Sequence, residues 1–420
     1  MNSLLNRISC ADDYDPESLG VEAARRIILD LIAPVDGSAH VAVREALGRV
    51  LAEDVISPMN VPGHDNSAMD GYAVRFADLA AEGETVLRLA GTTFAGRAFD
   101  GGIGPGECVR IMTGGVIPAG ADTVVIQETV RAENDRVAVP PRQRLGQNIR
   151  RAGEDLRAGT PAIRAGKLLR PAELGLIASL GLGEVMVRRR LRVAFFSTGD
   201  ELCSIGTPLK DGEVYDSNRY TLHGMLARLG CEIVDLGVVR DDPAAIEAAF
   251  REASARADAI LTSGGVSVGE ADFIRGLMAK LGEVAFWKIA MRPGRPMAFG
   301  RIGNSWLFGL PGNPVAVMVT FYAFVRDALL KLSGVAPVSP LPRFRVPCVT
   351  PLKKRPGRSE FQRGVLFHEN GEWKVRATAS QGSGVLRSMS EANCLIVVEP
   401  ERGNVEPGEA VDVQPFEGLV

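Results

Sequence analysis

The stretch Thr262-Ser-Gly-Gly-Val-Ser-Val-Gly-Glu-Ala-Asp272 decides how the middle of this chain folds. Before it, Asp258-Ala-Ile-Leu261 is an apolar run of strand length. After it, Ile274, Leu277, Met278 and Leu281 recur at helical spacing. The pattern is therefore strand, glycine-rich loop, helix. Gly264, Gly265 and Gly269 permit positive φ and let backbone N–H groups approach a ligand closely. The start of the following helix adds unpaired donors and partial positive charge, which suit phosphate. Glu270 and Asp272 stand at the same mouth. Mg²⁺ binds through one or two carboxylates together with substrate phosphates, so acids beside a phosphate cradle point to that ion. A loop that merely turns the chain and caps a helix would use the same residues. This loop alone does not choose between the two readings.

Working outward, residues 191–334 alternate strand and helix patterns and read as a doubly wound α/β domain. Strands are expected at Val193–Phe196, Cys231–Val239, Ala259–Leu261, Val284–Ile289, Met297–Arg301 and Trp306–Leu310. Leu222, Met225, Leu226 and Leu229 mark a helix closed by Gly230. Asp242-Pro243 opens another in cap-then-proline order. Asn313–Leu332 closes the domain as a helix.

In such a sheet, ligands bind outside the carboxyl ends of the strands. The strand ends deliver Ser197-Thr-Gly-Asp-Glu201, Arg240-Asp-Asp242, the opening loop, Met291-Arg-Pro-Gly-Arg-Pro296 and Pro311-Gly-Asn-Pro314, with Lys288 close by. Hydroxyls, glycines, carboxylates and arginines in one place suit the handling of a phosphate ester. Arginine can grip an oxyanion bidentately, and carboxylates can hold Mg²⁺ against phosphate oxygens. No Ser/His/Asp or Cys/His nucleophile set is visible, so catalysis would rest on positioning and electrostatics.

The 420 residues are enough for roughly three domains. A helix is expected over Ser18–Ile32 and a short one over Val43–Leu51. Leu145–Val187 reads as helical again, clearest at Pro171–Leu182, and is expected to pack against the first helix. Residues 15–57 and 142–190 thus form one discontinuous, mainly helical domain. Between them, 58–141 is a β-rich insertion, and 335–420 is a small C-terminal β domain. Within the insertion, Asp70 reads on composition first as an Asx-type turn former and only second as a site residue. Arg188-Arg-Arg190 reads as a solvated boundary. A net charge of −3 gives no bulk electrostatic case for nucleic acid. No signal peptide and no apolar stretch of about 20 residues is present, so no membrane span is expected. Six scattered cysteines form no CxxC pair and four histidines are unpaired, which argues against a zinc site and fits a reducing, cytoplasmic location.

Ser67-Ala-Met-Asp-Gly-Tyr-Ala73, Met112-Thr-Gly114, Gly153-Glu-Asp155, Ser197-Thr-Gly-Asp-Glu-Leu202, Ser263–Asp272 and Gly309-Leu-Pro-Gly-Asn-Pro314 follow one another in a familiar order. In this the chain resembles the MoeA-type molybdopterin molybdenumtransferases, the family that includes the gephyrin E domain. The match runs from about residue 15 to the end. The resemblance implies a four-part subunit and a homodimer whose shared cleft combines the α/β domain of one subunit with the inserted domain of its partner. It implies Mg²⁺-dependent insertion of molybdate into adenylylated molybdopterin, giving molybdenum cofactor and AMP. An upstream adenylyltransferase and downstream molybdoenzyme-maturation partners are implied with it.

Carried over by position, the family's catalytic residues fall on Asp70, Thr113, Asp155, Glu201, Asp241, Asp272, Lys288 and Arg292, with Glu201 and Asp272 toward the metal. Ser197, Thr198, Gly199, Gly264, Gly265, Ser267, Gly269, Arg295, Pro311, Gly312, Asn313, Pro314 and Ser383 are expected to bind the pterin substrate and its anionic groups. Related sequences often have lysine where this chain has Arg292 and Arg295, so a planar fork replaces a flexible ammonium. Two other readings share parts of this pattern. An adenylyltransferase would resemble residues 191–332 only, and a receptor-clustering scaffold would need no catalysis.

Overall fold

The computed structural model describes residues 18–264 and 271–416, without the side chains of residues 271–275 and Phe286. The chain forms two compact units. One comprises the chain up to Ala52, Gly166–Arg170 and Met186 onward; the other comprises Glu53–Ala165 and Pro171–Val185.

The first unit holds the expected α/β sheet. Its strands run in the order Glu232–Val239, Arg192–Thr198, Ala259–Ser263, Ser305–Leu310, Pro296–Ile302 and Gly282–Lys288. The first four are parallel. Pro296–Ile302 is antiparallel to both its neighbours, so Gly282–Lys288 points the same way as the first four. Five carboxyl ends therefore share one edge, as the sequence pattern predicts.

Alternation along Arg192–Thr198 explains the double winding. Val193 and Phe195 enter one core with Leu222, Met225, Val315 and Phe324. Ala194 and Phe196 enter the opposite core with Ile246, Phe250 and Ala253. Both faces are covered, which is what a largely parallel sheet requires. Each such fully buried side chain contributes about 1.5–3 kcal/mol.

The helix caps follow the sequence. Asp242 accepts from the Ala245 amide at 2.8 Å, with Pro243 in the first turn of Pro243–Arg256. Asp216 accepts from the Arg219 amide at 3.1 Å to open Ser217–Arg228, and Gly230 leaves that helix at φ +72°. The closing helix Pro314–Leu332 contains a π-helical turn over Phe321–Val325.

The remainder of this unit is a β sheet of Phe344–Pro347, Ser359–Glu369, Glu372–Ala377, Cys394–Val398 and Ala410–Pro415. The short strand Met291–Arg292, from the α/β segment, joins it in parallel beside Ser359 and Glu360. That pairing brings the Arg292 turn against the C-terminal sheet. Arg189 grips Asp258 with both terminal nitrogens at 2.7 Å, so the arginine run is a structural boundary.

The second unit contains a six-stranded sheet in the order Thr123–Ile126, Gly71–Val74, Glu107–Ile111, Thr85–Thr93, Arg136–Val139 and Arg131–Glu133. Tyr72, Val74, Leu87, Cys108, Val125 and Val137 build its main core.

The helical expectations need correction in two places. Val43–Leu51 forms one 3₁₀ turn at Val43–Glu45, because Gly48 adopts φ +70° and Val50 and Leu51 bridge to Leu168 and Val187. Residues 142–170 form short strands: Ile149–Arg150 pairs with Asn66–Ser67 and Pro161–Ile163 with Val55–Ile56. Asn148, Gly153 and Gly159 there adopt positive φ, which breaks a helix; only Pro171–Ser179 is helical. The first helix, Val21–Leu31, packs into the core containing Phe324 and Leu329. Arg25 Nε donates to Asp327 at 2.8 Å across that contact.

Candidate active site

The loops at the carboxyl edge of the α/β sheet are tied to one another. The Gly264 amide donates to the Leu310 carbonyl at 3.2 Å. Gly264 holds φ +94°, and a side chain there would put its Cβ 2.6 Å from the Thr198 carbonyl oxygen. Only glycine fits such a turn. At Gly199 an added Cβ would lie 2.6 Å from the Glu201 carboxylate, so that carboxylate rests directly over the glycine backbone. Asp200 accepts from the Asp241 amide at 3.2 Å, joining the first two loops.

Beside this edge lies a cleft of about 1070 Å³. Of the residues predicted from sequence, Glu201, Arg292, Arg295, Pro311, Gly312, Asn313, Pro314 and Ser383 line it. Asn313 Nδ2 donates to Ser383 Oγ at 3.2 Å and the Val315 amide to the Ser383 carbonyl at 3.1 Å. The C-terminal Gln381–Gly384 segment is thereby fixed against the Pro311–Pro314 turn. Gly294 shapes the two-arginine turn, since a Cβ there would meet Thr320 Oγ1 at 2.4 Å.

The opposite wall carries residues that sequence reasoning missed: Lys353, Arg358, Glu360 and Arg363. Arg363 is 1% exposed. Its guanidinium donates to Ser388 Oγ at 3.1 Å and to the Ser380 and Gly382 carbonyls at 3.3 and 3.0 Å. No carboxylate among the described residues pairs with it. Burial, and then repulsion from Arg292, lower its pKa to about 10. A buried cation with only neutral partners, beside a second cation, leaves positive charge uncompensated on this wall. Five cations (Arg292, Arg295, Lys353, Arg358, Arg363) line the cleft against three carboxylates (Glu201, Asp216, Glu360). Glu360 is already engaged by Arg358 at 3.3 Å and Arg292 at 3.9 Å. The sequence signal was an arginine two residues after Phe361 on one strand face, in a run buried from Ser359 to Gly364.

Other predicted residues lie elsewhere. Ser197 and Thr198 are buried beneath the loops, with hydroxyls that have no hydrogen-bond partner among the described residues, and they are not among the residues lining the cleft. Lys288 is exposed at its strand end and Asp241 sits on the Asp200 loop; neither lines the cleft. Gly265, Ser267 and Gly269 lie outside the described residues, as does the side chain of Asp272.

In the second unit the structure brings Asp70 and Thr113 together. Asp70 Oδ1 accepts from the Thr113 amide at 2.7 Å and from its hydroxyl at 2.8 Å. These two bonds, the amide first, hold the carboxyl below its ordinary range. Close backbone approach explains the neighbouring glycine, as a Cβ on Gly71 would lie 2.1 Å from the Val125 carbonyl oxygen. Asp155 is exposed on a turn whose amide donates to the Val61 carbonyl at 3.0 Å.

Comparison with known proteins agrees along the whole length. Residues 19–181 match the family described as "MoeA N-terminal region (domain I and II)", residues 194–331 the "Probable molybdopterin binding domain", and residues 345–416 the "MoeA C-terminal region (domain IV)". The molybdopterin molybdenumtransferase of Haemophilus influenzae is 45% identical over 96% of this chain and 100% of its own. That of Nostoc sp. is 35% identical over 94% of this chain and 95% of its own. The crystal structure of a molybdopterin biosynthesis MoeA protein from Pyrococcus horikoshii OT3 superposes with a TM-score of 0.81 at 28% identity, covering 95% of this chain and 100% of that one. The chain belongs to the MoeA family of molybdopterin molybdenumtransferases.

Proposed function

We propose that this enzyme performs the molybdenum-insertion step of molybdenum cofactor biosynthesis, with adenylylated molybdopterin and molybdate as substrates and AMP as a product. The observation that carries the reading is Arg363, buried without a counter-ion beside Arg292 in a cleft edged by glycine-rich loops. Molybdate and phosphate are both tetrahedral oxyanions, and a planar guanidinium can donate two parallel hydrogen bonds to either. Arg292, Arg295 and Arg363 would neutralise the oxyanion, while the Gly199, Gly264 and Gly312 turns leave room for substrate phosphates at backbone distance.

The donor set also fits Mg²⁺. Among the described residues no group of three or more acidic, histidine or cysteine side chains gathers to cage a metal. An ion held by one or two carboxylates and completed by substrate oxygens needs no such cage. Glu201, over Gly199 at the cleft, would supply one carboxylate and Asp272 the other. When bound, Mg²⁺ would neutralise charge on the phosphate oxygens. The remaining work is positioning. Asn313 and Ser383 hold the cleft wall, and Glu201 orients the phosphate side.

The proposed working form is a homodimer in a reducing, cytoplasmic setting, each cleft completed by the Asp70–Thr113 pair and Asp155 of the partner subunit. The four-part division at residues 58, 142, 191 and 335 belongs to the same proposal. Its substrate requires an adenylyl-transfer reaction upstream and its product a cofactor-accepting protein downstream. No helix among the described residues is long and apolar enough to cross a membrane.

A substrate-exchange assay tests the reaction class. Molybdenum incorporation is expected with adenylylated molybdopterin and not with molybdopterin plus ATP. ATP consumption with the unmodified pterin would make the protein an adenylyltransferase instead.

A further inference from the structure

Asn218 is 7% exposed, lies in the first turn of helix Ser217–Arg228 and borders the cleft. Its Nδ2 donates to two different loops at once: to Ser263 Oγ at 2.7 Å and to the Gly312 carbonyl at 2.6 Å. The amide orientation is fixed by chemistry, because the opposite assignment would set two oxygens 2.6 Å apart. Both donor hydrogens are therefore spent on the loops, and Oδ1 has no partner among the described residues.

The two loops are the ones that the proposed phosphate cradle needs. Ser263 ends the strand that leads into the glycine-rich loop, and Gly312 lies in the turn after Ser305–Leu310. They are already close: a Cβ on Gly312 would lie 3.8 Å from Gly264 Cα, and the Gly264 amide bonds to the Leu310 carbonyl. Those backbone contacts set one side of the approach. Asn218 supplies the other, from a helix that begins beyond both strands.

A buried amide with both donors engaged and its own acceptor unmatched is a net cost to folding. Side chains kept at such a cost concentrate where geometry serves function. We propose that Asn218 is a positioning residue that clamps the Ser263–Gly264 and Pro311–Gly312 loops at the spacing the substrate's phosphates require. The proposal rests on the functional reading above and adds a residue that acts through the loops rather than on the reacting atoms.

Asn218→Asp keeps the side-chain shape but turns a two-donor group into a carboxylate facing the Gly312 carbonyl. The KM for adenylylated molybdopterin should rise about tenfold or more, the effect of losing a buried hydrogen bond and leaving its partner unmatched. The KM for molybdate, whose proposed ligands stand on other loops, should stay unchanged. The defect should narrow as pH falls toward the carboxyl range, because a protonated acid donates again to one loop; wild type should show no such narrowing. Titration calorimetry with AMP gives a readout without turnover, and its Kd should weaken in step. Ser263→Ala removes one of the two bonds, should give a smaller rise in the same KM, and keeps the test decisive if Asn218 variants fail to fold. A folded Asn218→Asp or Ser263→Ala protein with unchanged KM and AMP affinity would overturn the clamp. So would a uniform loss of kcat with neither KM moving and no narrowing at low pH. Wild type that neither binds AMP nor turns over would refute the functional reading itself, and the clamp with it.

Discussion

Asp70 and Thr113, 43 positions apart in sequence, are joined by two hydrogen bonds to one carboxylate oxygen: the Thr113 amide at 2.7 Å and its hydroxyl at 2.8 Å. The pair sits where Gly71 lets two strands close together and where the Met112–Gly114 turn presents its donors. The carboxylate is oriented by these two bonds, and they, with the charge of Arg110, hold its pKa below the ordinary value. It is not a turn former serving its own loop, which was the competing reading of Asp70.

Thr113→Val isolates the orienting role. Valine keeps the shape and the backbone amide but removes the hydroxyl bond. Turnover should fall by roughly ten- to a hundredfold, as expected when a site group is misplaced. Melting temperature should barely move, because the pair is solvent-facing. The Asp70 pKa, followed by NMR, should rise toward the ordinary carboxyl value. Wild-type turnover in a folded Thr113→Val protein would make the pair structural.

Arg363 should control oxyanion affinity. Arg363→Met should weaken molybdate binding by roughly ten- to a hundredfold, the range for losing charge-assisted hydrogen bonds. Arg363→Lys should not restore it, since an ammonium cannot reproduce the guanidinium's bonds to Ser388, Ser380 and Gly382. Binding to wild type should hold through neutral pH and decline as pH rises through about 10, well before an ordinary guanidinium loses its proton. Equilibrium dialysis of molybdate against pH checks all three outcomes.

The Arg189–Asp258 pair makes a stability prediction. Burial raises the Asp258 carboxyl, but the Arg189 hydrogen bonds and the Arg192 amide outweigh it, and the net shift is downward. The native pKa is thus depressed, so the stabilisation is present above the unfolded carboxyl pKa and is lost as pH falls through the native value. Asp258→Asn should cost about 1–2 kcal/mol at neutral pH, the range for a partly exposed charge-assisted pair. Thermal melts of variant and wild type should converge as pH falls through the native Asp258 pKa, which lies below the ordinary carboxyl value. A gap that persists there would assign the effect to packing.

The shared cleft has a direct complementation test. Asp70→Ala and Asp272→Ala chains should each be inactive, and mixed heterodimers should recover up to one normal site per dimer, about half of wild-type activity, since one cleft escapes both lesions. No recovery in demonstrated heterodimers would count against a site built from two subunits.

The α/β core was legible because each element carries its own signal. Asp242-Pro243 announced a helix start, and the Val193–Phe196 alternation matched a strand buried on both faces. The strand-end loops followed from topology, and Glu201, Arg292, Asn313 and Ser383 do meet at one cleft. The stretches around Gly48 and Asn148 misled because apolar spacing was read without the positive-φ residues that end a helix. Arg363 and Asn218 were missed for a different reason. Their importance lies in what they lack or bridge, a counter-ion in one case and two distant loops in the other. The local pattern marks Arg363 as a residue of a buried strand but shows neither relationship.

The central claim is that Arg292, Arg295 and Arg363 bring molybdate to an adenylylated pterin whose phosphates lie on the glycine loops. The most direct measurement is AMP release from adenylylated molybdopterin and Mg²⁺, with and without molybdate, alongside molybdenum content of the product. The account predicts AMP release that depends on molybdate and matches molybdenum incorporated one for one. AMP release at the same rate without molybdate, or no release in its presence, would contradict it.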